Sequence, residues 1–150
     1  MVPTEAKVDP KKWDARLEWD VIIRKYGFNA ESHEVITEDG YKLGIWRLAG
    51  KFSEYKTITE KRPPILLWHG LASSGYAWMT NGDKSIAFTL ANEGYDVWLG
   101  NTRGNTFSKK HERLDESDDE NEFWDFSWEK AGIYDVSATV DFISNKTGFP

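Results

Sequence analysis

The sequence predicts an α/β fold, a mostly parallel sheet entered through an antiparallel hairpin. Three observations carry this. Alternating apolar residues flank Asp39-Gly40; a short apolar run, Ile65-Leu66-Leu67-Trp68, follows two prolines; and a second short run, Tyr95 to Leu99, follows a helix-spaced segment. Alternation on both sides of Asp-Gly is a hairpin signature. An unbroken apolar run too short for an ordinary helix suits a strand buried on both faces. The order hairpin, strand, helix, strand, helix then implies parallel strands joined by crossover helices.

Taken in order, Trp13 to Tyr26 is amphipathic enough for a short helix burying Trp13, Leu17, Ile22 and Ile23. Residues 1–19 are assigned to a poorly ordered N-terminal extension and 20–150 to the folded domain. Val35, Thr37, Tyr41, Leu43 and Ile45 place strands over 33–38 and 41–48. A two-residue type I′ turn at Asp39-Gly40 is expected between them, because both residues tolerate positive φ. Residues 49–64 form a charged connection. Ser85 to Glu93 reads as a helix with Ile86, Ala87, Leu90 and Ala91 on one face and Gly94 placed to end it. A polar, acidic loop covers 108–122. Ser127 is placed to cap a last helix, in which Ile133, Val136, Val140 and Ile143 repeat until Thr147-Gly148.

A chain of 150 residues is one domain's worth and can bury roughly 68–70% of its unfolded surface. Eight Trp and an aromatic content of 15% supply core material, while a net charge of -6 argues against a nucleic-acid partner. The absence of Cys excludes disulfides and thiolate metal sites. No apolar run near the N-terminus is long enough for a signal peptide or a membrane span, so residues alone assign no compartment. The acidic run Asp115 to Glu120 lacks the turn glycine of a calcium loop and reads as a solvated loop. Gly100 to Gly104 follows a strand but has no helix directly behind it, so it is not a phosphate cradle. Arg103 is read as a buried structural Arg paired with a carboxylate. His33 and His111 have no Ser or carboxylate arrangement pointing to them. Asp125 and Asp135 invite a general-acid role by residue type. No metal or cofactor is expected.

The chemistry is sought where the chain leaves the Pro-led strand. A sharp turn at His69-Gly70-Leu71 points backbone N–H groups at open space above the sheet edge, and such groups can stabilise a developing negative charge. His69 reads better as the anchor of this turn than as a base.

Several blocks in order then resemble one family: Thr37-Glu38-Asp39-Gly40-Tyr41, His69-Gly70-Leu71, Ser85-Ile86-Ala87-Phe88, and the run Gly94-Tyr95-Asp96-Val97-Trp98-Leu99-Gly100-Asn101. Arg103-Gly104-Asn105-Thr106, Phe123-Trp124-Asp125-Phe126-Ser127 and Tyr134-Asp135 with Ala138-Thr139 continue it. From about residue 20 on, the chain resembles the acid lipases, gastric and lysosomal α/β-hydrolases that cleave triacylglycerols and cholesteryl esters. Ala72 and Asp83 depart from the family pattern, where Leu and Pro are common.

The resemblance implies an incomplete α/β-hydrolase fold, ending before the nucleophile-elbow strand. No G-x-S-x-G occurs in the sequence, so the Ser, Asp and His of the triad are expected in a longer protein. The resemblance thus puts the catalytic acid elsewhere than Asp125 or Asp135. Of the family's machinery only Leu71 carries over, as the first-loop oxyanion N–H, with His69 and Gly70 supporting the loop. Trp78 and Phe107 are candidates for an acyl pocket, with core or rim packing equally open. Asn145-Lys146-Thr147 is a glycosylation sequon that matters only in the secretory route. The implied substrate is a neutral lipid ester reached by transient contact with a lipid surface, and the implied location is secreted or lysosomal. Half an oxyanion hole without a nucleophile implies that the 150 residues alone are inactive. The alternative is an inactive lipase-like fragment serving as a structural or binding subunit; a nucleotide-binding α/β module is weaker still. Without a fifth strand, Ile65 to Trp68 would be an apolar sheet edge, to be covered by the rest of the lipase chain or by a partner strand.

Overall fold

Strand β2 (Tyr41–Lys51) is the hub of the molecule, pairing with three other strands. The structure, a computed structural model, describes residues 18–53 and 61–150. The expectations for Trp13 and Leu17, for most of the N-terminal extension and for part of the 49–64 connection lie outside those residues. The described chain starts with α1 (Trp19–Lys25), which buries Ile22 and Ile23 as expected, and Trp19 as well. β1 (Phe28–Ile36) then pairs antiparallel with β2, from Ile36 opposite Lys42 to Phe28 opposite Lys51. β1 starts earlier than the 33–38 read from alternation and ends at Ile36, and β2 runs past 48 to Lys51.

The turn between them differs from expectation. Thr37 faces Tyr41 and encloses a three-residue loop, with the Gly40 amide donating to the Thr37 carbonyl at 2.9 Å. Gly40 has φ +96 and Asp39 does not share the positive φ that a type I′ turn demands. This is the longer hairpin connection in which one glycine alone takes the left-handed position. The Thr37 hydroxyl prefers it, because it both accepts from the Tyr41 amide at 2.9 Å and donates to Asp39 at 2.7 Å.

The central pair is parallel. β3 (Pro64–Leu67) lies beside β4 (Asp96–Leu99), and β4 lies antiparallel to β2, giving the order β1-β2-β4-β3. The crossover between them carries two short 3-10 turns, Gly75–Met79 and Gly82–Lys84, and α2 (Ile86–Asn92). At the end of α2 the Tyr95 amide donates to Leu90 O and the Gly94 amide to Ala91 O, the paired closing bonds that a left-handed residue allows; Gly94 has φ +94. Beyond β4, the acidic stretch contains a two-residue strand β5 (Lys110–His111) on β2 and a short helix α3 (Glu120–Phe123), neither visible in its composition. Ser127 caps α4 (Trp128–Lys130), as its spacing suggested. A wide π turn, Ala131–Val136, leads into α5 (Ser137–Thr147).

Both faces of the sheet are covered. Val97 and Leu99 pack with α1, α2, Phe28 and Leu48 on one side, and Trp98 packs with Leu43, Ile45, Phe123 and Ile143 on the other. Alternation within an apolar run thus feeds two cores. β4 is buried throughout, but β3 is only half-buried, contrary to the expectation of a strand covered on both faces. Among the described residues β3 has a neighbour on one side only.

Two helix faces also need correcting. On α2 the buried residues are Ala87, Phe88 and Ala91; Ile86 is exposed, and Phe88 stacks 5.9 Å from Phe28 in its place. In the last helix Ile133 and Val140 are exposed, while Ala131, Asp135, Thr139 and Ile143 turn inward. The apolar spacing pointed to the wrong stripe because the inward face contains a buried carboxylate, and the π turn shifts the phase ahead of α5.

Candidate active site

The carboxyl ends of parallel strands are where open α/β sheets place their ligand sites. Here two loops meet, one leaving β3 at Trp68 and one leaving β4 at Gly100. Glycines make the meeting close. A Cβ on Gly100 would lie 2.3 Å from the Trp68 ring, and one on Gly75 would lie 2.7 Å from Gly100 O.

The second loop is a polar mount. Asn101 is fully buried; its side-chain oxygen accepts from the Gly75 amide at 3.0 Å and its amide nitrogen donates to Gly44 O at 2.7 Å. It thereby ties β2 to the far end of the β3 loop. The Trp68 indole N–H donates to the Thr102 hydroxyl at 3.1 Å. The Ser108 hydroxyl accepts from the Gly44 amide at 3.1 Å.

His69 is 6% exposed. Its Nε2 accepts from the Thr102 amide at 3.0 Å, with the Asn105 side-chain nitrogen at 3.1 Å, and its Nδ1 stands 2.8 Å from Gly70 O. A backbone amide can only donate and a carbonyl can only accept, so this geometry assigns a neutral ring with the proton on Nδ1. Both nitrogens are thereby committed to the loop, which is the anchoring role rather than that of a base.

Arg103 closes the mount. It is 3% exposed and held between two carboxylates from distant segments. Asp39, in the hairpin turn, accepts from it at 2.6 and 2.9 Å; Asp135, in the π turn, accepts its Nε at 2.7 Å and its backbone amide at 2.8 Å. The guanidinium also lies 4.1 Å from the Tyr41 ring centroid. Burial pushes the Asp39 carboxyl up, but hydrogen bonds from Arg103 and Thr37 and the Arg103 charge outweigh it and hold it below its ordinary 3.8. At Asp135 burial dominates and pushes the carboxyl up against the pull of Arg103. Asp135 is therefore a structural counter-ion with both oxygens used, not a free general acid. Asp125 is exposed, and none of the Arg103 hydrogen bonds runs to it. His111 supports the hairpin from β5, its Nε2 2.8 Å from Asp39 O, and His33 pairs with Glu31 at 3.2 Å.

Against this mount the first loop stands free. Gly70, Leu71, Ala72 and Ser73 are all exposed, Leu71 at 79%. Among the described residues none accepts a hydrogen bond from the Leu71 amide. Ala72 has φ 55, in a region that costs an ordinary L-residue about 1–2 kcal/mol. Of the described non-glycine residues it alone takes positive φ, and it does so in this turn.

Trp78 is half-buried against the α1–α2 core, and Phe107 stands edge-on to Trp19 with centroids 4.9 Å apart. Asn145 is exposed on α5. The acidic run is a self-bonded loop in which Asp115 accepts the Ser117 amide at 2.8 Å. Among the described residues, no three His, Asp or Glu side chains converge as a metal site. What sequence reading missed was the mount itself: Asn101, Asn105, Ser108 and Asp39. The available signal was a run of polar residues directly behind a fully buried strand, where each must find a partner.

Comparison with known proteins places this arrangement. Residues 63–148 match the family described as alpha/beta hydrolase fold. The chain belongs to that family. Residues 20–82 match the partial alpha/beta-hydrolase lipase region, which spans the hairpin and the β3 loop. The α/β-hydrolase chain is 46% identical over 143 residues to gastric triacylglycerol lipase of Mus musculus, covering 95% of this chain and 35% of the relative. It is 44% identical to lipase 1 of Drosophila melanogaster, covering 93% and 29%. To a putative lysosomal acid lipase/cholesteryl ester hydrolase of Crotalus adamanteus it is 46% identical, covering 85% and 31%. The resemblance to acid lipases read from the blocks is thus shared along nearly the whole chain. The chain spans about a third of the length of the curated relatives it matches. An esterase from Pyrococcus furiosus superposes with a TM-score of 0.55 at 22% identity, covering 81% of this chain and 37% of that one, and supports the fold.

Proposed function

We propose that this chain supplies the first oxyanion donor, the Leu71 amide, of a serine-type carboxylic-ester hydrolase acting on neutral lipid esters such as triacylglycerols and cholesteryl esters. The observation that carries the reading is the exposed turn at the carboxyl end of β3, in which no described residue accepts from the Leu71 amide while His69 and Asn101 hold the loop at its two ends. In the reaction a serine hydroxyl attacks the ester carbonyl, its proton passes through a histidine to the leaving alcohol, and water then releases the acid. Leu71 stabilises the oxyanion of the tetrahedral intermediates, paired with the amide that follows the nucleophile. The serine, histidine and acid lie outside these 150 residues. The exposed Leu71 side chain makes the transient contact with the lipid surface, and Trp78 and Phe107 flank the acyl chain. Passage through the secretory route, to the exterior or to the lysosome, makes Asn145 a glycan acceptor.

The test is a pair of substitutions in the full-length protein. Leu71→Pro removes the N–H and lowers turnover on a triacylglycerol emulsion by about 10²–10³-fold, whereas Leu71→Ala keeps the N–H, loses only surface contact and lowers turnover far less. A folded Leu71→Pro protein with unchanged turnover sinks the proposal. The open side of β3 favours a second reading, in which the chain is an inactive subunit whose sheet edge is completed by a partner strand. Its mark is a fixed co-purifying partner and no ester turnover from the assembled complex.

A further inference from the structure

The opposite end of the parallel strands carries a cleft lined by positive side chains. Where β3 and β4 begin, Arg47, Lys61, Arg62 and Lys146 line a cavity of about 190 Å³ together with Asp96 and Phe149. The cations come from three separate stretches, the middle of β2, the approach to β3 and the end of α5, yet the whole chain has a net charge of -6.

They are not equivalent. Arg47 is committed, its Nε donating to Asp96 at 2.7 Å and its Nη1 to Glu31 at 3.1 Å. Lys61 and Lys146 pair with no carboxylate among the described residues. The Lys61 amine lies 5.9 Å from the Phe149 ring centroid. It sits 2.9 Å from where a Cβ on Gly148 would be, so the glycine that ends α5 also leaves room for the amine. Two ammonium groups with no carboxylate partner among the described residues face a cavity whose described lining holds one carboxylate, Asp96, paired with Arg47.

We propose that this cleft binds a phosphate group through Lys61 and Lys146, with the Arg47–Asp96 pair as its fixed wall. Charge decides the class. A phosphate monoester carries about -1.5 to -2 near neutral pH, which two free ammoniums match, whereas a carboxylate would leave one uncompensated. Lysine suits the role as a point charge on a flexible stem. The site lies across the sheet from the Leu71 loop and is separate from the ester chemistry. Free phosphate and the monoester headgroup of phosphatidic acid share this chemistry.

The experiment has two arms, each on the protein and on its Lys61→Gln/Lys146→Gln variant. In the first, phosphorus NMR line broadening follows inorganic phosphate at constant ionic strength set with chloride. In the second, flotation is compared on phosphatidic acid and phosphatidylcholine vesicles. Saturable phosphate broadening that the double variant loses supports the site with free phosphate as ligand. Selective flotation on phosphatidic acid that the variant loses, without broadening, supports it with the headgroup as ligand. Absence of both, or either effect surviving in the double variant, overturns it. Both lysines are exposed, and a Lys61→Arg/Lys146→Arg variant that retains binding separates lost charge from lost fold.

Discussion

The loop leaving β3 and the loop leaving β4 stand side by side and are built in opposite ways. After β3 the chain is exposed from Gly70 to Ser73, and no described residue accepts from the Leu71 amide. After β4 the side chains of Asn101, Thr102, Arg103 and Ser108 are buried and bonded. The contrast shows how a free amide is kept free. An unpaired N–H in a loose loop would turn toward the nearest carbonyl. Here His69 and Asn101 have already fixed both ends of its loop.

Breaking the mount should cost most. Arg103→Met leaves Asp39 and Asp135 facing each other without a cation, and the loss expected for one partner of a buried ion pair is about 3–5 kcal/mol. Urea unfolding reads it. Arg103→Lys should recover little, because one ammonium cannot reproduce the forked contacts to two carboxylates. Next comes His69→Phe, which keeps the ring but strands the buried Thr102 amide, at about 1–3 kcal/mol. Under the role proposed for Leu71, the same substitution in the full-length protein should also lower kcat more than it raises KM. Equal effects on both constants would show that the anchor does not reach Leu71.

Acid sharpens the same contrast. Asp39 and Glu31 have carboxyls held below their ordinary 3.8 and 4.5. At Glu31 burial pushes up, and the charge and hydrogen bond of Arg47 win. A depressed carboxyl contributes stability that is present above its unfolded value and lost as pH falls through its folded one. Stability should therefore decline below about pH 4, and Asp39→Asn should flatten that decline. Asp135, pushed the other way, offsets part of it. An unchanged slope in Asp39→Asn, measured by unfolding between pH 2 and 5 on the order of half-unit steps, would remove Asp39 from the account. The smallest effects belong to the free loop. Leu71→Ala should change stability by no more than about 0.5 kcal/mol. Ala72→Gly should gain up to about 1 kcal/mol, since it relieves a left-handed residue at the cost of a more flexible unfolded chain.

Much of the fold was legible because its signals are local. Period-two alternation placed β1 and β2, the short apolar runs placed β3 and β4, and Gly94 and Gly148 marked helix ends through their positive φ. Where the reading slipped, a side chain had overridden a local rule. Thr37 selected a three-residue turn over the two-residue one. Asp135 turned the last helix so that Ile133 faces solvent, since burying a carboxylate opposite Arg103 requires that face. Of the site, the turn at His69 was visible, and so was the need of Arg103 for a carboxylate, but not which carboxylate.

Neighbouring residues alone settled the strand and helix order, the sharp exit at His69-Gly70-Leu71 and the kinship to lipases. Folding alone chose the partners: Asp39 meets Arg103 across 64 residues, Asp135 meets it across 32, and Asn101 reaches Gly44 across 57. Backbone preference acts over a few residues and leaves its trace in the sequence, whereas a buried polar group accepts whichever partner the packed sheet brings within about 3 Å.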